Sequence, residues 1–302
     1  MSQIFKKKFT ERNNILDFNS QDETYNEVSK FYDEEPFPSY RKDDNKLTIL
    51  SIGEKNLFLK QFKKKVGYKK RILEAGSGTC QLITYMAIGN NNDCYALDSS
   101  MNALEIGINF SKKNEIKNIT FCRGDILEEI FKEKTFDFIW CSGVLHHTKD
   151  AKKGFDQLIK YLKDDGLIVI GLYNTYGRIW TNLRRFLYNF FGEKIIYYTD
   201  PVLKKIIKNN KNDVKKINSW IRDQYKHPLE KTYTLDDVLK WFENNNIKFI
   251  NSLPQCDFSE NNNDFFEEKK RGNFFSRLLN QIFMIFQKYG TEGGLFLVIG
   301  KK

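Results

Sequence analysis

The chain has 302 residues, a net charge of +10 and 40% hydrophobic residues, with 26 Phe and 15 Tyr. That is enough to build a sizeable core, and it excludes a wholly disordered chain. The excess of Lys and Arg admits nucleic acid or an anionic membrane as a partner. However, the lysines are spread along the chain among many Asn and Ile, which favours compositional bias over a nucleic-acid footprint.

The opening MSQIFKKKFTERNN lacks the apolar stretch of a signal peptide, and no run approaches the roughly 20 residues needed to span a bilayer. Five cysteines, Cys80, Cys94, Cys122, Cys141 and Cys256, form no CxxC pair. This argues against a disulfide framework or a metal site, and a reducing, cytoplasmic setting is the simplest expectation. Residues 1–69 read as a polar N-terminal extension or cap with aromatic islands, notably FYDEEPFPSY at 31–40.

From residue 70 to 174 the chain alternates between strand and helix patterns. RILEAG (71–76), CYALD (94–98), ITFCRGD (119–125), FDFIWCSG (136–143) and LIVIGLYN (167–174) read as buried strands. Between them CQLITYMAI (80–88), MNALEIGINFSKK (101–113) and AKKGFDQLIKYLKDDG (151–166) read as helices, the last stopping at Gly166. Such alternation implies a parallel sheet covered on both faces, with ligands bound beyond the carboxyl ends of the strands near the switch point. Residues 175–246 then interrupt the sheet with Lys-rich helical segments. In one of these, Thr234 and Asp237 form a capping box ahead of Val238, Leu239, Trp241 and Phe242. Residues 247–302 supply two last strands, at 247–253 and 294–300, and an amphipathic helix at 274–289. The apolar stripes FFSRLLNQIFMIF and IWTNLRRFLYNFFG read as core-facing. The alternative is a pair of interfacial membrane anchors whose Arg184, Arg185 and Arg277 meet lipid headgroups.

LEAGSGTCQ (73–81) carries the chemistry. No Lys follows the glycines, so a P-loop is excluded. Gln81 stands where a dinucleotide fingerprint needs its third glycine. Glu74 beside the loop repels a pyrophosphate and suits a cationic ligand. Asp98, ending the second of these strands, suits a ribose diol, and Asp125, ending the third, suits an adenine amino group. Glycines and three strand-end acids together describe a pocket for an adenosine with a cationic tail, as in S-adenosylmethionine.

Here the sequence resembles the class I S-adenosylmethionine-dependent methyltransferases. LEAGSGT is similar to their first motif, with Cys80 in place of the last glycine. ALDSS, RGDI and FDFIWCSGVLHHTKD resemble the next three motifs, and LKDDGLIVI the turn into strand five. GLYNxYGR and DQYKHP segments, together with an FY…PFPxY entry, are similar to a bacterial subgroup. The resemblance implies an α/β, Rossmann-like doubly wound sheet, mostly parallel with an antiparallel C-terminal strand, with domain 70–174 binding the donor; on physical grounds the N-terminal aromatics and the helical insertion 175–246 are expected to close over the site as a lid. It implies S-adenosylmethionine as cofactor. Gly76 and Gly78 would approach the methionine portion, Glu74 its ammonium, Asp98 and Ser99 the ribose, and Asp125 and Ile126 the adenine. Cys141 and Ser142 would line the floor near the methyl group.

An unidentified small-molecule acceptor is expected over strands four and five, near Tyr173, Asn174, Tyr176 and Arg178, with Arg178 holding a carboxylate or phosphate. His146 is the expected base, and His147 reads as part of a structural turn. The rival readings are an RNA methyltransferase, for which neither an RNA-binding module nor an NPPY signature is present, a peripheral membrane protein methylating a lipid-linked acceptor, and a non-catalytic ligand-binding relative.

Overall fold

The structure, a computed structural model, describes residues 2–209, 214–227, 229–257, 264–286 and 294–302. Pro228 of the DQYKHP segment and the last residues of the helix expected at 274–289 lie outside these. The strands are β1 (Thr10–Arg12), β2 (Ile15–Asp17), β3 (Arg71–Ala75), β4 (Asp93–Asp98), β5 (Ile119–Arg123), β6 (Phe136–Ser142), β7 (Leu162–Tyr173), β8 (Lys248–Leu253) and β9 (Leu295–Lys301). They form one sheet in the order β1-β2-β5-β4-β3-β6-β7-β9-β8. Strands β3 to β7 are mutually parallel, and β9 runs antiparallel between β7 and β8. This is the expected doubly wound, mostly parallel sheet. The order reverses at β3, which has β4 on one side and β6 on the other, so the switch point lies at the glycine loop.

The central strands read as unbroken apolar runs because both of their faces are buried. Leu73, Ala75, Tyr95 and Leu97 enter one core. Their neighbours Ile72, Cys94 and Ala96 enter the other. Helices Met101–Lys113 and Ala151–Tyr161 flank the sheet, each capped at its N-terminus, by Ser100 and Asp150 respectively. The second helix ends at Tyr161, not Gly166. Leu162 pairs with Phe136, and Asp165 adopts a φ of 64° in the turn that leads along β7.

The N-terminal region adds the β1–β2 hairpin to the edge of the sheet and three helices, Glu23–Glu34, Lys46–Lys55 and Leu57–Val66. Four more helices between Ile179 and Tyr225 gather around a small apolar cluster of their own, with Ile196, Leu203 and Ile221 at its centre. The capping box of helix Leu235–Asn244 forms as expected, and Val238, Leu239, Trp241 and Phe242 are buried. Among the described residues, no helix is long and apolar enough to cross a membrane.

Candidate active site

The loop after β3 is shaped by backbone conformations that exclude side chains. Gly76 has a φ of +77°, and a Cβ there would lie 2.0 Å from Val144. Gly78 has a φ of +50°, and a Cβ would lie 2.2 Å from the Phe37 carbonyl oxygen. Cys80 also adopts the left-handed region, at φ 68°, which is the conformation that favours glycine there. Its sulfur fills the space against Gly107.

Above this loop lies a cavity of about 810 Å³ at the carboxyl ends of the central strands. Glu74, Asp98 and Asp125 all line it. Glu74 accepts from the Ile83 N–H at 2.8 Å, at the start of helix Gln81–Ala87. Burial nevertheless pushes its carboxyl up to about 8, with a smaller push from Asp98. Each oxygen of Asp98 accepts one backbone N–H, from Gly78 at 2.7 Å and from Ser100 at 2.8 Å. Each oxygen has a second lone pair. Asp125 accepts from the Leu127 N–H at 2.9 Å. Burial raises the pKa of both aspartates as well. Gly76, Gly78, Ser99, Ile126 and Ser142 join them in the lining.

The N-terminal region and the insertion, expected to close over the site, both reach the cavity, through residues the sequence does not single out as contacts. Tyr25, Tyr32, Phe37 and Pro38 come from the N-terminal region, and Trp220, Asp223 and Gln224 from helix Val214–Tyr225. Asp33 ties the N-terminal helix down by accepting from the Ser100 hydroxyl and the Asn102 N–H. Asp223 accepts from the Tyr32 hydroxyl at 3.2 Å and from the Gln224 amide at 2.8 Å, and the same amide donates to the Tyr173 hydroxyl at 2.9 Å. The Tyr25 hydroxyl is buried with no hydrogen-bond partner. The PFPSY and DQYKHP segments carry the expectation of a cover, although their spacing does not say which residues face the hollow.

Several expected acceptor contacts are corrected. His146 is fully buried behind the cavity, packed on Tyr173 and His147, with neither ring nitrogen hydrogen-bonded. Burial holds its pKa well below the ordinary histidine value, so it is not placed as a base. Its neighbour His147 is the one that lines the cavity. Its Nδ1 lies 2.8 Å from the Leu229 carbonyl, which can only accept, so the proton sits on Nδ1. Burial lowers the His147 pKa to about 3. Asn174 is spent on structure: its amide donates to Gln281, and its oxygen accepts from the N–H groups of Tyr176 and Gly177. Arg178 is fully buried, and its fork grips Glu230 at 2.8 Å and Gln224 at 2.6 Å while lying over the Tyr173 ring. It therefore braces the insertion and offers no fork to an acceptor. Cys141 turns into the core, while the next residue, Ser142, faces the cavity. Tyr173 does line it.

A family model described as a methyltransferase domain matches residues 67–246. An uncharacterised protein of a Synechococcus species is 25% identical over 200 residues, covering 60% of this chain and 48% of that protein. The demethylmenaquinone methyltransferase of Staphylococcus aureus is 25% identical over 133 residues, covering 43% of this chain and 54% of the enzyme. The chain spans about half the length of these curated relatives. Among solved structures, PKMT2 from Rickettsia typhi in complex with AdoHcy superposes with a TM-score of 0.57 at 16% identity, over 81% of this chain and 52% of that one. The likeness is one of fold.

Proposed function

The chain belongs to the methyltransferase-domain family, whose model covers more than half of its length, and from that premise we propose that it moves a methyl group from S-adenosylmethionine to a small acceptor held in the same cavity. The observation that carries this reading is electrostatic. In a chain of net charge +10, the cavity is lined, among the described residues, by Asp22, Glu74, Asp98, Asp125 and Asp223 against only Arg41 and Lys149. Lys149 is itself paired with Asp22. Such a hollow repels a chain of phosphates and favours a ligand with positive charge. The residues present fit the donor. Glu74 is a buried acid without a counter-charge, and the Tyr25 hydroxyl lacks a partner.

Glu74 holds the ammonium end, and the backbone at Gly76 and Gly78 approaches the methionine portion. Asp98, fixed by the Gly78 and Ser100 N–H groups, accepts from the ribose hydroxyls beside Ser99. Asp125 accepts from the adenine amino group, and the Ile126 N–H reaches a ring nitrogen. When bound, the donor supplies a methyl group already activated on a sulfonium. The protein's part is then to position the acceptor and keep water out, which can lower the barrier by roughly 7–11 kcal/mol. The acceptor sits beyond the ends of β6 and β7, beside Ser142, Tyr173 and His147 and beneath Tyr32, Asp223 and Gln224. The N-terminal extension (1–69) and the insertion (175–246) act as the lid. Within the family we place the chain among bacterial members that share GLYNxYGR and DQYKHP. The acidic lining also speaks against RNA as the acceptor.

The test is equilibrium dialysis of labelled S-adenosylmethionine against the wild type and Asp98→Ala. Micromolar-range binding, about −7 to −8 kcal/mol, should be largely lost in the variant. Equal binding by both would remove the ribose assignment.

A further inference from the structure

We propose that helices Ile179–Phe191 and Phe274–Phe283 form a face that docks on an anionic lipid bilayer. Both helices are amphipathic, and both are turned the wrong way for a core role. On the first, Leu183, Phe186 and Phe190 are exposed at helical spacing, Phe190 to 69%, and Trp180 and Phe191 flank them. Its basic residues turn inward instead: Arg185 pairs with Glu230, and Arg184 donates to Tyr225. On the second, Phe275, Leu279 and Phe283 are exposed one turn apart, and Phe286 continues the stripe at 76% exposure. Arg277, the one charged residue of that helix, is held by Asp236. The Trp180 indole N–H donates to the Ile285 carbonyl at 3.0 Å, so the start of the first stripe meets the end of the second. An apolar groove of about 540 Å³ opens beside this contact, lined by Trp180, Leu183, Leu187, Val202, Met284 and Phe286. Trp220 and Gln224 belong both to its wall and to that of the donor cavity.

Two linked, exposed aromatic stripes of this kind need an apolar partner. Charge selects which one. Residues 175–209 contain seven Lys and Arg against two acids, Glu193 and Asp200. Glu193 is paired with Lys226, and Asp200 is buried, whereas Lys194, Lys204, Lys205 and Lys208 are exposed. A second copy of the chain would bring like-charged flanks together, whereas an anionic bilayer complements them. Exposed Trp and Tyr, here Trp180 and Tyr198, are the residue types that suit the headgroup level. Arg184, Arg185 and Arg277, which the membrane alternative puts at the headgroups, are committed within the protein, so the lysines take that role.

Docking is scored without donor or acceptor, so it stands or falls independently of the methyl-transfer reading. The full chain is floated with vesicles of phosphatidylcholine alone, and with vesicles carrying about 30 mol % phosphatidylglycerol. The anionic vesicles should carry it up, less so at high salt. Phe186→Ser with Phe190→Ser, and separately Phe275→Ser with Phe283→Ser, should each weaken recovery at least about tenfold with an unchanged melting temperature. Absence of flotation, equal flotation of the variants, or a stable dimer that these same substitutions dissociate in lipid-free buffer would each overturn the proposal.

Discussion

Glu74 gives the electrostatic reading its most demanding test. Its carboxyl is pushed by burial to about 8, well above the ordinary glutamate range. At pH 7 the free side chain is therefore mostly protonated, by about ten to one. A cation placed against it favours the carboxylate, so binding must expel close to one proton at pH 7. The sign follows directly. A raised pKa in the free protein means that affinity for a cationic ligand grows as pH rises toward 8 and levels off above it. The gain below that point is about tenfold per pH unit, or ~1.4 kcal/mol. Glu74→Gln keeps an acceptor for the Ile83 N–H but cannot ionise, so its donor affinity should be weaker and lose this slope. Any titration of the donor's own ammonium remains in both proteins and cancels in the comparison. The assay is calorimetric titration at pH 6, 7 and 8 in phosphate and in Tris, whose different ionisation enthalpies report the protons released. No proton release by the wild type, or the same slope in both proteins, would refute the argument.

Gly78→Ala should disturb the loop, because the added methyl meets the Phe37 carbonyl at 2.2 Å in a left-handed backbone. A loss of about 1–3 kcal/mol in thermal unfolding is expected, together with weakened donor binding. Arg178→Ala leaves the buried Glu230 with only Arg185. Urea denaturation should show a cost of about 3–5 kcal/mol, whereas an acceptor-contact role would give a loss of turnover at constant stability. Thr234→Ala removes a capping box with both of its hydrogen bonds in place. It should cost about 1 kcal/mol in the same assay.

The central sheet was legible because its strands are buried on both faces, so RILEA and CYALD stand out as apolar runs whatever packs on them. The three acids were legible for a related reason. Strand ends in a parallel sheet share one edge, so Glu74, Asp98 and Asp125 had to converge. The β1–β2 hairpin was not read, since three-residue strands are too short to show a period, although the left-handed Asn13 and Asn14 mark its turn. Adjacent residues were the other failure. Sequence does not say which of His146 and His147 faces a cavity when a single 3₁₀ turn carries both. Period-two alternation along β6 does separate Cys141 from Ser142 and was the unused signal there. The two apolar stripes at 179–191 and 274–286 carry a helical period that looks the same whether the partner is a core or a membrane. The exposure of Phe186, Phe190, Phe275 and Phe283, with the inward ion pairs of Arg185 and Arg277, speaks against the core partner.

The central claim is that this cavity takes a nucleoside bearing positive charge and refuses a polyphosphate. Parallel calorimetric titrations of the wild type with S-adenosylmethionine and with NAD test it most directly. A micromolar dissociation constant for the first, about −7 to −8 kcal/mol, with no measurable heat from the second is the predicted result. Comparable binding of NAD, or binding of neither, would contradict it.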